Sequence, residues 1–162
     1  MAEHLIPVFS SLGLAVATSI TDAALRLRHE HGLLPLAVAV LDSGGQTVSF
    51  RREDGSGVLR HDIAHGKAWG ALGMGMATRQ IRDRLASRPA FQNALAAASG
   101  GRFIPTPGGV LILNAQGQAI GAVGISGDAS DKDEFCAIQA IRAAGLTPEP
   151  PEPAPGWNSA GL

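Results

Sequence analysis

The chain has 162 residues, 45% hydrophobic and 17% charged, with 13 Lys+Arg against 14 Asp+Glu and a formal net charge of −1. That length fits one domain, and the apolar content is enough for a packed core, which excludes a highly charged, disordered chain. The near-neutral balance argues against a nucleic-acid partner, whose phosphates reward a basic excess. No apolar run reaches the ~18 residues of a membrane-spanning helix, so no membrane role is expected. Cys136 is the single cysteine, which excludes an intrachain disulfide and a CxxC motif. The stretch from Met1 to Pro7 lacks the basic and apolar regions of a signal peptide, and the two observations together give a cytoplasmic expectation.

Ser10 or Ser11 is placed to cap a first helix running to about His31, in which Leu14, Ala17, Ile20, Ala24 and Leu27 keep a three-four spacing. Arg26, Arg28, His29 and His31 collect near its C-terminal end, where positive charge suits the dipole, and Gly32 is placed as its C-cap. Leu34 to Leu41 reads as a buried strand, Asp42-Ser43-Gly44-Gly45 as a turn, and Thr47 to Arg51 as the returning arm of a hairpin. From Val58 to about Thr78 a helix carries Gly66, Gly70, Gly73 and Gly75 among its alanines. Each glycine costs a helix interior up to ~1 kcal/mol against alanine, so a backbone or ligand passes close by, or the helix packs tightly on the sheet.

Ile81 to Leu85 and Ala90 to Ala98 form a short helix pair separated by Pro89. Val110 to Leu113 and Ala119 to Ser126, joined by Asn114-Ala115-Gln116-Gly117, form a second hairpin. Ser130 with Asp133 makes a capping-box-like start to a last helix ending near Gly145. From Pro148 onward the repeated prolines exclude regular structure and predict a disordered tail or an extended arm lying on a neighbour. Residues 1–147 are therefore read as the domain and residues 148–162 as a Pro-rich tail or arm. Two hairpins among helices predict a single α/β (α+β) domain with an antiparallel sheet flanked by helices, not a doubly wound parallel one.

His61 and His65 are the sharpest chemical feature, because an i,i+4 spacing puts both imidazoles on one helix face, within reach of one metal ion, haem edge or anionic ligand. A solvated or interface-facing pair is the plain alternative, and HExxH is absent. Arg51 and Arg52 end the second strand, where arginine can clamp a carboxylate or simply make a surface ion pair. Gly127-Asp128-Ala129-Ser130 precedes a helix but is no Walker loop, and Asp131, Asp133 and Glu134 in its first turn answer the helix dipole. Ser126 lies outside any GxSxG elbow, and Cys136 sits on an apolar helix face as a core thiol.

Taken in order, Leu41-Asp42-Ser43-Gly44-Gly45, Arg52-Glu53-Asp54-Gly55, Ile63-Ala64-His65-Gly66-Lys67-Ala68, Gly108-Gly109 and Gly121-Ala122-Val123-Gly124-Ile125-Ser126-Gly127, with Asp131 downstream, resemble the GlcG/HbpS family. That family includes the C-terminal domain of PduO-type adenosyltransferases. The likeness runs from about Ser10 to Leu146. It implies a profilin-like fold, homodimers or higher oligomers, and haem binding in several members. The resemblance maps the family's lysine onto Lys67, its arginine-aspartate-glycine element onto Arg52, Asp54 and Gly55, and its Gly-Val-Ser-Gly element onto Gly124 to Gly127, and carries over no iron ligand. With the residue reading added, Arg51, Arg52, His61, His65, Lys67, Gly108, Gly109, Ser126 and Gly127 are the candidate cofactor-binding positions, His61 and His65 being candidate iron ligands by their spacing. Departures cluster at the same place: Glu53 stands where Met is frequent, Pro107 precedes the double glycine instead of following it, Arg60 and His61 replace small or apolar residues, and His65 replaces an arginine.

Three functions follow from this pattern. The first is an oligomer holding haem or a related tetrapyrrole between the glycine-rich helix and the sheet or a neighbour, with Arg51 or Arg52 on a propionate. The second is an isomerase, lyase or hydratase for a small carboxylate, with Arg52 binding the acid and Lys67 or His65 moving protons. The third is a scaffold with no ligand of its own.

Overall fold

Strong turn signals on both sides of short branched runs produce the two hairpins expected. The computed structural model describes residues 5–162, so the part of the N-terminal reading that falls on residues 1–4 lies outside it. Helix α1 (Leu14–Glu30) leads into strands β1 (Ala37–Asp42) and β2 (Thr47–Arg52), then helices α2 (Leu59–Met74), α3 (Thr78–Leu85) and α4 (Pro89–Ala98). Strands β3 (Gly109–Leu113) and β4 (Ala119–Ser126), helix α5 (Ser130–Ala143), strand β5 (Thr147–Glu149) and a 3-10 turn (Trp157–Ser159) complete the chain. The sheet has five strands in the order β2-β1-β4-β3-β5, and every pairing is antiparallel. No helix among the described residues is long and apolar enough to cross a membrane.

Alternation along β1 divides the core into two layers. Val38 and Val40 join Val110, Ile112, Val123 and Ile125 under α1 and α5, where Ile20, Ile138 and Ile141 are fully buried. Ala37, Ala39 and Leu41 face the other way and receive α2 through Ala64, Ala68 and Ala71. The α2 side is made of small residues for a reason visible in the register: Phe50, Ala39, Gly124 and Gly109 align in one row across β2, β1, β4 and β3. A Cβ on Gly124 would overlap the Ala64 carbonyl and lie 2.8 Å from the Ala68 nitrogen, so the helix rests on backbone.

The close approach suggested by the helix glycines is real at Gly66 and Gly70, whereas Gly73 and Gly75 meet no atom within 4 Å. Gly66 and Gly70 lie under the segment from Arg102 to Ile104, which crosses the outer face of the helix. Where Gly124 and Gly109 meet α2, backbone rests on backbone, and open space beside the helix lies at its flanks.

Several expectations need correction. Gly13, not Ser10 or Ser11, precedes α1, and no side chain caps it. Ser11 instead donates to the Ile120 carbonyl and accepts from Ser43 N–H, tying the chain entry to two turns. Ala129 precedes α5, so Ser130 and Asp133 do not form a capping box. The tail is not irregular from its first proline: Thr147–Glu149 pairs with Leu111 to Leu113, and Trp157 stacks on Phe135 with ring centroids 3.6 Å apart. Proline is tolerated in β5 because it is the outermost strand, where a missing N–H breaks no inner ladder.

Gly124→Ala should cost at least about 3 kcal/mol, since no rotamer relieves a Cβ held against helix backbone. Gly73→Ala meets no atom within 4 Å and should stabilise by roughly 0.5–1 kcal/mol. Urea denaturation of the two variants should give shifts of opposite sign.

Candidate functional site

The N-terminal half of α2 reaches over two neighbouring rows of the sheet and sends side chains to either side. Arg52, Ala37 and Ser126 form the row next to Phe50, Ala39 and Gly124. Towards the β2 edge, the His61 ring stands on Phe50 edge to face, 4.6 Å between centroids. Towards β4, Arg60 Nη1 donates to Ser126 Oγ at 3.1 Å.

Lys67 points off the helix past the start of β3 and is 2% exposed. Its Nζ donates to the Ile125 carbonyl at 2.8 Å and to Asp133 Oδ2 at 3.0 Å. Gly108 has φ +118°, and a Cβ there would lie 2.8 Å from Nζ, so the lysine passes through space that only glycine leaves open. Asp133 is on α5, the opposite face of the sheet, and its other oxygen accepts from Asp128 N–H. Burial pushes the Asp133 carboxyl up to about 6, with the nearby Lys67 ammonium opposing it. Burial likewise lowers Lys67, against the pull of Asp133. Desolvation thus outweighs attraction for both partners, as expected of an ion pair taken fully out of water.

Glu134 is also fully buried, accepting from Arg79 Nε at 3.0 Å. Burial raises it, and Arg79 opposes the rise. Asp133 and Glu134 therefore face protein cations; the first-turn acids were expected only to offset the helix dipole. Their sequence signal was two acids embedded in a helix that is otherwise apolar around Phe135, Cys136 and Ile138. Cys136 is the core thiol expected, fully buried and pushed up to about 12 mainly by desolvation.

Beside Lys67 lies an open groove of about 490 Å3. Leu59, Ile63 and Ile104 give it apolar walls, and Arg60, Ser126 and Ser130 supply polar groups. The structure thus gathers Lys67, Gly108 and Ser126 around one point, with Gly109 packed on the Lys67 backbone and Gly127 against Pro35 and Leu36. Arg60, noted in the sequence only as a departure, proves to be the cation of this groove.

The histidines are elsewhere, on the other flank of α2. His61 Nδ1 lies 3.1 Å from Asp62 Oδ1. His65 is half-buried and lowered by burial first, then by His61 and Arg102, which keeps its imidazole neutral near pH 7. Arg102 itself lies over the Trp69 ring, 4.2 Å from the centroid. Arg52 shares the α2 face of β2 with Phe50, whereas Arg51 turns to α1 and pairs with Asp22 at 3.6 Å. At the strand end both arginines line a depression of about 470 Å3 with Arg28, His29 and Glu53. Arg52 and Lys67 thus line different cavities, and Lys67 is engaged with Asp133. Among the described residues no group of three or more His, Cys, Asp or Glu could hold a metal ion.

The family described as haem degrading protein HbpS-like matches residues 12–142. The chain belongs to that family. An uncharacterized 15.0 kDa protein from the dhaT-dhaS intergenic region of Citrobacter freundii is 32% identical to this HbpS-like chain over 109 residues, 67% of the chain and 75% of the relative. The corrinoid adenosyltransferase PduO of Citrobacter freundii is 30% identical over 134 residues, 82% of the chain but only 39% of PduO. A crystal structure of a PduOC:heme complex superposes with a TM-score of 0.75 at 26% identity, covering 83% of this HbpS-like chain and 96% of that one.

Lys67→Met leaves Asp133 buried without its cation and should cost about 3–5 kcal/mol, whereas Lys67→Met with Asp133→Leu should cost far less than either single change. Thermal denaturation of the three variants tests that non-additivity. In the folded protein at pH 8, Cys136 should not react with Ellman's reagent, and denaturant should release one reactive thiol per chain.

Proposed function

We propose that this HbpS-like protein binds haem or a closely related tetrapyrrole on the outer flank of α2, above the β2 edge. The observation that carries the reading is the His61/Phe50 contact next to Arg52. His61 is exposed and its Nδ1 is held by Asp62, which leaves Nε2 as the ligand atom, the arrangement that fixes tautomer and raises basicity in metal-bound histidines. The donor set suits a metal that brings its own macrocycle, because one imidazole is then sufficient and a full protein cage is unnecessary. Phe50 and Trp69 offer apolar surface, and Arg52 is a propionate clamp on the same strand face as Phe50. Neutral His65 beside this point adds no charge to repel a ferric centre. Membership of a family described by haem degradation, and the haem complex of a similar structure, support the same ligand class.

The flank is open, and self-association is part of the proposal. Leu5, Ile6, Val8 and Phe9 are 81–90% exposed on the N-terminal arm, a run of apolar side chains suited to a second copy of the chain.

Hemin titrated into the purified protein should produce a saturable Soret shift. His61→Ala should abolish it, Arg52→Ala should weaken hemin binding about tenfold or more through loss of a charge-assisted contact, and His65→Ala should retain the shift. A Soret shift unchanged in His61→Ala would reject His61 as the ligand, and no saturable shift in the unmodified protein would reject the tetrapyrrole reading.

A further inference from the structure

Arg60 and Lys67 meet in the groove on the opposite flank of α2 from the histidines, and their bonding is incomplete. An ammonium has three N–H donors, and Lys67 uses two, on Ile125 and Asp133. The lysine is nearly buried yet lines the groove, and among the described residues no third acceptor bonds its Nζ. Arg60 gives one bond to Ser126, and no carboxylate among the described residues lies within 4.0 Å of its guanidinium nitrogens. The rest of its fork is free for a planar, two-oxygen acceptor.

Charge and shape narrow the ligand. Lys67 is already balanced by Asp133, so Arg60 is the one uncompensated cation of the groove among the described residues. Asp62 adds a negative charge to the lining and opposes a second anionic group. Leu59, Ile63 and Ile104 provide apolar contact for the carbon chain of such a ligand.

We propose that this groove binds a short-chain aliphatic monocarboxylate, with Arg60 and the free Lys67 donor on the carboxylate and the apolar walls on its chain. The site shares only Asp62 with the tetrapyrrole flank, none of its proposed ligand contacts, and stands whether or not that reading holds.

Calorimetric titration with butyrate tests it, with butyramide, succinate and inorganic phosphate as comparison ligands. Butyrate should bind saturably, one per chain, and butyramide should not. Arg60→Gln should weaken butyrate about 10- to 100-fold, the size of lost charge-assisted hydrogen bonds. Thr106→Trp at the exposed rim should block the groove without touching the core, which guards against misreading a folding defect in the first variant. Both variants should keep the hemin response of the parent protein, whatever that is. Absence of saturable butyrate binding, or equal binding by Arg60→Gln and Thr106→Trp, would overturn the site. Succinate or phosphate binding as tightly as butyrate would overturn the assigned ligand class.

Discussion

Lys67 leaves the helix on one face of the sheet and ends against a carboxylate on the other, so a single buried ion pair ties together layers that, among the described residues, share no other charged contact of this depth. Its position constrains much of the chain around it. Gly108 must lack a side chain to let it pass, Gly109 must let the helix backbone settle, and Asp133 must sit one turn into α5 rather than at its cap. Hydrophobic burial supplies the larger share of stability here, as in most domains. The ion pair adds register: sliding α2 along the trough by one turn would strand two charges out of water, a penalty apolar contacts alone would not impose.

The same helix separates two environments of different chemistry. On the β2 side lie aromatic surface, a neutral imidazole and an exposed arginine; on the β4 side lie an open groove of mixed lining and an arginine that makes no ion pair among the described residues. The segment from Arg102 to Ile104, seated over Gly66 and Gly70, runs between them and prevents their merging. Glycine in α2 therefore serves partition as well as packing.

Much of this architecture was legible in the residues. Turn chemistry at Asp42 to Gly45 and Asn114 to Gly117 located both hairpins, and the glycines of α2 announced a close approach that the structure contains. Caps were less legible, because Ser11 and Asp133 found stronger partners through tertiary contacts than the local backbone offers. The proline-rich end misled for a related reason. Trp157 has a stacking surface on Phe135 that only folding creates, and an outermost strand accepts Pro148 where an inner one would not. The sequence offered candidate site residues by type, and it could not show which of them share a cavity. Adjacent Arg51 and Arg52 start from opposite faces of β2 yet share the depression at its end, and Arg60 joins Ser126 only across the chain separation that β4 closes.

The placing of proline at one side of the sheet also bears on growth. β5 carries Pro148 at its centre and is followed by further prolines, so its outer edge is a poor template for another strand. β2, at the far side, has a continuous backbone of six residues without proline. A contact between copies through strand edges would fall on β2 of both, and such a pairing would consume the only competent edge among the described residues of each copy. Assembly by that route closes at a pair and cannot propagate into a fibre.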